Sequence, residues 1–277
     1  MTTRDENIGQ QKQMDMVRDR FTRTAAVFAD YALGQRAAEA ERLLRLVAPT
    51  GNERALDVAC GPGTLARIFA PRVRCIAGLD LTPAMLERAR KDAAENHIEN
   101  FYALRGNALG MPFADATFDI VVTSYSIHHL PDAVAAVREI ARIVKRGGKF
   151  GLLDMIVPEN PARAAACNAI EIARDGSHTR ALSVTEFERL LASLGFRILA
   201  SEIEEHPRSF DQWMHVAGWK RGDAVYETCR RLVEESIPGD TAGLEPKILA
   251  EPAKGVADAR PDIEIRHTGA FIAAQKE

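Results

Sequence analysis

The chain has 277 residues, 46% of them hydrophobic, and a formal net charge of -3. That length buries one large core, or one core and a small lid, and argues against a multi-domain assembly. The charges are mixed, and no basic block is long enough to follow a phosphate backbone, so duplex nucleic acid is excluded as the first partner to consider. Cys60, Cys75, Cys167 and Cys229 share no CxxC or Cys/His ligand spacing, so neither a disulfide framework nor a metal site is expected, and reduced thiols fit a cytoplasmic protein.

The N-terminus, MTTRDENIGQQKQMDMVRDR, is polar where a signal peptide has an apolar stretch, and no later segment offers about 18 consecutive apolar residues. A soluble protein with no stable membrane insertion is expected, its first dozen residues loosely ordered. From Met14 to Ala48, Phe21, Ala25 and Phe28, then Leu43, Leu44 and Val47, recur on one face, predicting two helices with a break near Gly34. Arg54 to Ala59 reads as a strand ending in CGPG. A helix opens at Thr64, and Cys75 to Leu81 is a second strand containing an acid near its end.

The alternation continues with a helix from Pro83, strands at Phe101 to Arg105 and Phe118 to Ser124, a helix from Ala133, and a strand at Lys149 to Met155 entered through Arg146-Gly147-Gly148. Apolar strands alternating with amphipathic helices predict an α/β fold, a Rossmann-like doubly wound sheet with parallel strands covered on both faces. Beyond Pro158 helices are expected at Pro161 to Arg174, at Val184 to Leu194 with Ser183 as N-cap, near Ser209 to Trp219 and at Asp223 to Glu235. A strand is expected from Phe196 to Ile203, a loop from Pro238 to Pro261, and a last strand in DIEIRHTGAFIAAQ bent at Gly269.

The chemistry centres on Leu56-Asp57-Val58-Ala59-Cys60-Gly61-Pro62-Gly63, which puts an acid inside the first strand and two glycines at its carboxyl end. Glycine there admits a ligand close to the backbone, making the turn a cofactor cradle. Continued through Ala66, the segment also fits GxGxxA, so a nicotinamide or flavin dinucleotide is a second reading. Asp80, ending the second strand, stands where a carboxylate accepts from both hydroxyls of a ribose, and its other reading is a solvated strand-end acid. Both cofactor classes carry a ribose.

LDVACGPG, GLDLTPAMLERAR, GNALGMPFADATFDIVVTSYSIHHLPD and IVKRGGKFGLLDM, in this order, resemble the successive motifs of class I S-adenosylmethionine (SAM)-dependent methyltransferases, nearest to the quinone-biosynthesis C-methyltransferase branch and its small-molecule relatives. The likeness covers about Ala55 to Val157. It implies a seven-stranded, mostly parallel sheet with an antiparallel strand near the C-terminus, which Glu264 to Ala274 would supply. It implies residues 1-50 as a helical cap on a SAM-binding domain over 51-277, with helical lid insertions at about 159-182 and 206-260.

Residue by residue, the resemblance places Asp57, Gly61 and Gly63 beside the methionine portion of SAM, Asp80 on the ribose, Leu81 and Met85 about the adenine, and Asn107-Ala108 at the adenine amine. Ser124 falls near the sulfonium or amino-acid end. Phe21, Phe28 and Tyr31 on one helical stretch, and Trp213 beside Phe210 and Met214, are candidate walls of the acceptor pocket, with ordinary helix packing as the rival account.

Methyl transfer to an O or C acceptor calls for a base, and His128, His129 and His178 are the candidates, each with a packing, capping or solvated alternative. The quinone branch carries Arg-Asn where this chain has His128-His129, a departure that counts against a quinone precursor. The expected activity is therefore methyl transfer from SAM to C, O or N of a small molecule. A NAD(P)-dependent oxidoreductase and an inactive SAM-binding regulatory protein are the alternatives. No Asn/Asp-Pro-Pro-Tyr/Phe motif follows the fourth strand, which has Thr123-Ser124-Tyr125-Ser126, so no nucleic acid partner is expected. The C-terminal helices offer a homodimer contact.

Overall fold

The computed structural model describes residues 3-249 and 260-277; the side chains of 3-7, 24, 26-31 and 35 in the first helix lie outside the described set. The chain divides into two compact units. One holds Met1–Asp154, Glu186–Glu202 and Ala270–Glu277, and the other Met155–Thr185 and Ile203–Gly269.

The first unit opens with α1 (Thr3–Gln35) and α2 (Ala37–Val47). Helix α1 starts well before the expected Met14; Gln11, upstream of it, donates to Asp15 one turn on. The break falls at Arg36, two residues past the expected Gly34. Then come β1 (Arg54–Val58), α3 (Thr64–Phe69), β2 (Cys75–Asp80), α4 (Pro83–Glu95), β3 (Phe101–Arg105), β4 (Phe118–Ser124), α5 (Ala133–Ile143) and β5 (Val144–Ile156). Further along the chain lie α6 (Pro161–Arg174), α7 (Val184–Ser193), β6 (Phe196–Ser209), α8 (Phe210–Val216), α9 (Ala224–Ser236), β7 (Lys247–Ile248) and β8 (Ile263–Lys276).

The sheet order is β3-β2-β1-β4-β5-β8-β6. Pairs β1·β2, β1·β4, β2·β3 and β4·β5 are parallel, while β7 pairs antiparallel with β8. The sheet is thus mostly parallel, with the strand order reversing direction between β1 and β4. That reversal matters because a doubly wound sheet opens a crevice at the carboxyl ends of its strands there.

Strand β5 begins earlier than expected because the pairing with β4 shifts register between Phe118 and Ile120, taking Lys145 to Gly148 into a bulge. Glycine suits it: Gly147 has φ +73, and a Cβ on Gly148 would fall 2.8 Å from the Lys145 carbonyl oxygen. Strand β8 runs continuously through Gly269.

Helix α2 is held by its apolar face. Leu43, Leu44 and Val47 join Leu65 and Phe69 of α3, Ile120 and Val122 of β4, and Phe271 in one core. The helix can approach the sheet because β5 carries Gly151 beneath it, whose added Cβ would sit 2.6 Å from Val47 Cγ2.

The second unit has its own core, in which Cys167 and Ile170 of α6, Phe210, Trp213 and Met214 of α8, and Tyr226, Cys229 and Val233 of α9 close around Ile263 and Ile265. Helix α6 is capped by Asn160, which accepts from the N–H groups of Ala162 and Arg163. At the start of α7 the Glu159 carboxylate does the work expected of Ser183, accepting the Thr185 N–H at 3.0 Å and the Ser183 hydroxyl at 2.8 Å. Among the described residues no helix is long and apolar enough to cross a membrane.

Gly151→Ala is expected to destabilise the protein by about 1–3 kcal/mol through overpacking against Val47 and Val122, measured as a lowered urea midpoint with unchanged slope. An unchanged midpoint would mean that α2 does not depend on this close approach.

Candidate active site

The carboxyl ends of β1 to β4 surround one cavity in the first unit. At the end of β1 the chain turns through Gly61, with φ +51, and Gly63, with φ +89, before α3 begins at Thr64. An added Cβ on Gly61 would meet nothing within 4 Å, so open space lies over this backbone. At Gly63 a Cβ would come within 3.2 Å of Ala89, so this glycine serves the close packing of α3 on α4.

Asp80 is buried at the end of β2, where Oδ2 accepts the Gly61 N–H and Oδ1 the Thr82 N–H, each at 2.8 Å. One side chain therefore ties the β1 turn to the β2 turn. Burial pushes its pKa up, against the pull of the Thr82 and Gly61 N–H groups. The carboxyl forms part of the cavity wall.

Asp57 lies behind the turn and off the cavity wall, 1% exposed, with its Oδ2 lacking a hydrogen-bond partner. Burial, then the neighbouring Asp80, pushes its pKa well above the usual carboxylate range. Thr64 lines the cavity with an unpartnered, buried hydroxyl. Such groups cost free energy until a polar partner reaches them.

After β3, Asn107 and Ala108 join the wall with Leu81 and Met85. The Asn107 Oδ1 accepts the Leu109 N–H at 3.0 Å, and Nδ2 lies 3.2 Å from Met14 Sδ on α1. Met14, Val17 and Phe21, spaced along one face of α1, form the wall on that side.

At the end of β4, Ser124 lines the cavity and is followed by Tyr125, held at φ +49. Thr123 donates to the Val58 carbonyl at 2.7 Å and meets the Ser126 hydroxyl at 2.5 Å, locking the ends of β1 and β4 together. A 3-10 turn, Ile127–His129, comes next. The Ile127 N–H donates to Asp154 Oδ2 at 2.8 Å, and His128 Nδ1 lies 2.5 Å from Asp154 Oδ1. His129 is on the cavity wall, its ring 4.2 Å from that of His128 and edge-on to Phe21 at 5.2 Å.

Of the residues singled out in the sequence, Gly61, Asp80, Leu81, Met85, Asn107, Ala108, Ser124, Phe21 and His129 are brought together on this wall. Asp57, Gly63 and His128 stand behind it. Phe28 and Tyr31 have side chains outside the described residues. His178 and Trp213 belong to the second unit: His178 Nε2 is 2.8 Å from Asn168 Oδ1, and Trp213 packs on Phe210 and under Arg174. Sequence reasoning passed over Met14, Val17, Arg36, Cys60, Thr82 and Tyr125, which also line the cavity, and Asp154 behind it. The spacing of Met14, Val17 and Phe21 was a usable signal; Arg36 and Asp154 arrive only through tertiary folding. Among the described residues no cluster of three or more His, Cys, Asp or Glu side chains is arranged to hold a metal ion.

Residues 56–152 match the methyltransferase domain family. An uncharacterized methyltransferase of Bacillus subtilis, YcgJ, is 30% identical over 198 residues, which is 72% of this chain and 78% of the relative. The chain belongs to the methyltransferase family. The solved YcgJ structure matches this methyltransferase with a TM-score of 0.76 at 26% identity, covering 87% of this chain and 99% of that one. Aklanonic acid methyltransferase DauC of a Streptomyces species is 38% identical over 112 residues, 39% of this chain and 51% of the relative. A demethylmenaquinone methyltransferase of Lactobacillus johnsonii is 31% identical over 153 residues, 52% of this methyltransferase and 63% of the relative.

The raised pKa of Asp57 sets a pH dependence. A carboxyl whose folded pKa lies above its unfolded value of about 3.9 contributes stability below that value and loses it as pH climbs through the folded pKa. Glu53, Asp119 and Glu139, with lowered pKa values, act in the opposite sense and below that window. Thermal unfolding of Asp57→Asn is therefore expected to gain on the unsubstituted protein as pH rises above the unfolded value of about 3.9. A constant difference across that range would show that Asp57 does not titrate with folding.

Proposed function

We propose that this methyltransferase takes its methyl group from S-adenosylmethionine and delivers it to an oxygen or carbon of a small organic acceptor. The observation that carries the reading is the buried Asp80 carboxyl at the end of β2, on the cavity wall and held there by the Gly61 and Thr82 N–H groups. That arrangement fits the two hydroxyls of a ribose.

The residues present fit the remainder of the donor. The open space over Gly61 and the unpartnered Thr64 hydroxyl suit a polar chain lying along the β1 turn. Leu81, Met85 and Ala108 give apolar contact to a flat base, and Asn107 a polar edge. When bound, SAM supplies an electrophilic methyl group on a sulfonium. The chain's own contribution is to hold the reactants in line, an effect worth on the order of 7–11 kcal/mol in well-oriented systems. Met14, Val17 and Phe21 of α1 act as a cap that keeps water out of the cavity.

His129 is the proton acceptor in this reading. Its ring is on the cavity wall, and a ring nitrogen takes the proton from an acceptor hydroxyl or activated C–H as the methyl bond forms. His128, tied to Asp154, backs that ring and keeps the turn in place. The relative named aklanonic acid methyltransferase supports a polycyclic organic acceptor. The His128-His129 pair separates this chain from the quinone branch, which favours an acceptor other than a quinone precursor. The mixed surface charge supports a small molecule over nucleic acid.

Calorimetry with SAM should show binding that Asp80→Ala abolishes. Against a panel of phenolic and quinol acceptors, His129→Gln should reduce methyl transfer by about 100-fold or more while leaving SAM affinity in place. No SAM binding by the unsubstituted protein would refute the donor assignment, and full turnover by His129→Gln would remove His129 as the base.

A further inference from the structure

Strand β3 ends the sheet of the first unit, with β2 on one side and no strand among the described residues on the other. Its ladder decides which backbone groups face outward. The Asn100 carbonyl accepts the Ile76 N–H, and the Gly106 N–H donates to the Asp80 carbonyl, so the even-numbered residues of this parallel pair point their N–H and C=O groups at β2. Glu99, Phe101, Ala103 and Arg105 therefore turn theirs to the open edge. Arg90 of α4 donates to the Ala103 carbonyl at 2.9 Å, and a carbonyl oxygen can accept a second bond.

The side chains alternate too. Phe101 packs against the core that holds Leu65, Phe69 and Ile76, while Tyr102 and Leu104 lie on the other face, 56% and 40% exposed. That face is bare because the connection from β3 to β4, residues 106–117, forms no helix, where a doubly wound sheet carries one. Proteins blunt an open edge with lysine, proline or a bulge. Residues 99–105 hold neither lysine nor proline, and their pairing with β2 runs without a register shift. The two charges there, Glu99 and Arg105, are of opposite sign, both exposed, and each three residues from Tyr102.

We propose that the β3 edge is a self-complementary docking surface for a second copy of this chain, the two β3 strands pairing antiparallel about a two-fold axis at Tyr102. Identical edge strands related by a two-fold axis run antiparallel, and ladder bonds form only where outward-facing residues meet outward-facing residues. With Tyr102 on the axis, Phe101 meets Ala103 of the second copy and Glu99 meets its Arg105, odd number with odd, so opposite charges stand directly across the ladder twice. Tyr102 meets its own counterpart in a non-hydrogen-bonded pair, where Cα atoms are about 4.5 Å apart, with Leu104 of the second copy on the diagonal. Moving the axis to Ala103 keeps odd with odd but sets Glu99 against Asn107 and loses both charge pairs. A contact of one short strand is small for a stable dimer, which puts its dissociation constant on the order of 10–100 µM.

Sedimentation velocity of the full chain from about 1 to about 500 µM tests this. The unsubstituted protein is expected to pass from monomer to dimer across that range. Glu99→Arg and Arg105→Glu, each setting like charges opposite one another, should each weaken the dimer by at least about tenfold, and the doubly substituted protein should recover it. Both positions are exposed, so the fold does not depend on them. Under oxidation Tyr102→Cys should give a disulfide-linked dimer, since the Cα separation across the axis suits that bond. Leu104→Cys should not, because its two copies lie about 14 Å apart along the paired strands. The unsubstituted protein, with Cys60, Cys167 and Cys229 buried and Cys75 partly so, should not cross-link either.

A protein that stays monomeric throughout would overturn the proposal. So would a dimer that both charge reversals leave intact, one that the double substitution fails to restore, or one that cross-links as readily through Leu104→Cys as through Tyr102→Cys.

Discussion

The two backbone hydrogen bonds into Asp80 are the constraint on which the cavity depends. A glycine turn at φ +51 is a costly, permissive stretch of chain, and left alone it samples many conformations. Anchoring the Gly61 N–H on one carboxyl oxygen and the Thr82 N–H on the other fixes the ends of β1 and β2 against each other. The Thr123 hydroxyl does the same between β4 and β1 through the Val58 carbonyl. Three parallel strands thus end in a rigid rim, and the chemistry of the site is the chemistry of what that rim presents.

Around the rim the acid–base groups are sorted by depth. Asp57 is sealed behind the turn, where burial disfavours its charge, while Asp80 is buried but held by hydrogen bonds from the Gly61, Leu81 and Thr82 N–H groups and the Thr82 side chain. Asp154 is sealed at the end of β5, bonded to the turn that carries His128 and presents His129. A different network occupies the second unit. There Glu171 is buried beside Arg174 and His267; burial raises its pKa, but those two neighbours outweigh it and hold the carboxyl below its usual range. His178 and Trp213 belong to that unit's interior, each with its own partner there, as a helix-spaced aromatic or a loop histidine most often does.

Much of the first unit was legible because its signals are local. Apolar runs of strand length, helices that start at Thr64, Pro83 and Ala133, and an acid at the end of the second strand can all be read from neighbours in sequence. Their boundaries agree with the structure to within a residue or two except at β5, where a bulge through Gly147-Gly148 lengthens the strand. The resemblance carried the rest of that region, from Asn107 to Ser124. Helix α1 was longer than its apolar periodicity implied: it starts at Thr3, where no apolar repeat marks a packed face.

The illegible part was set by contacts between distant segments. Nothing in the sequence around Arg36 marks it for a cavity wall 89 positions before the tyrosine it packs on, and Asp154 reads as an ordinary strand residue until Ile127 and His128 close on it. Trp213 lies in the core of the second unit, and its place could not be read for the complementary reason: an aromatic at helical spacing has the same pattern whether it faces a ligand or a core.

The most direct test of the account is a crystal structure of this methyltransferase with S-adenosylhomocysteine. The account predicts one molecule laid across the carboxyl ends of β3, β2, β1 and β4, its ribose hydroxyls on Asp80 and its base beside Asn107. A ligand seated elsewhere, or one whose ribose does not touch Asp80, would contradict it.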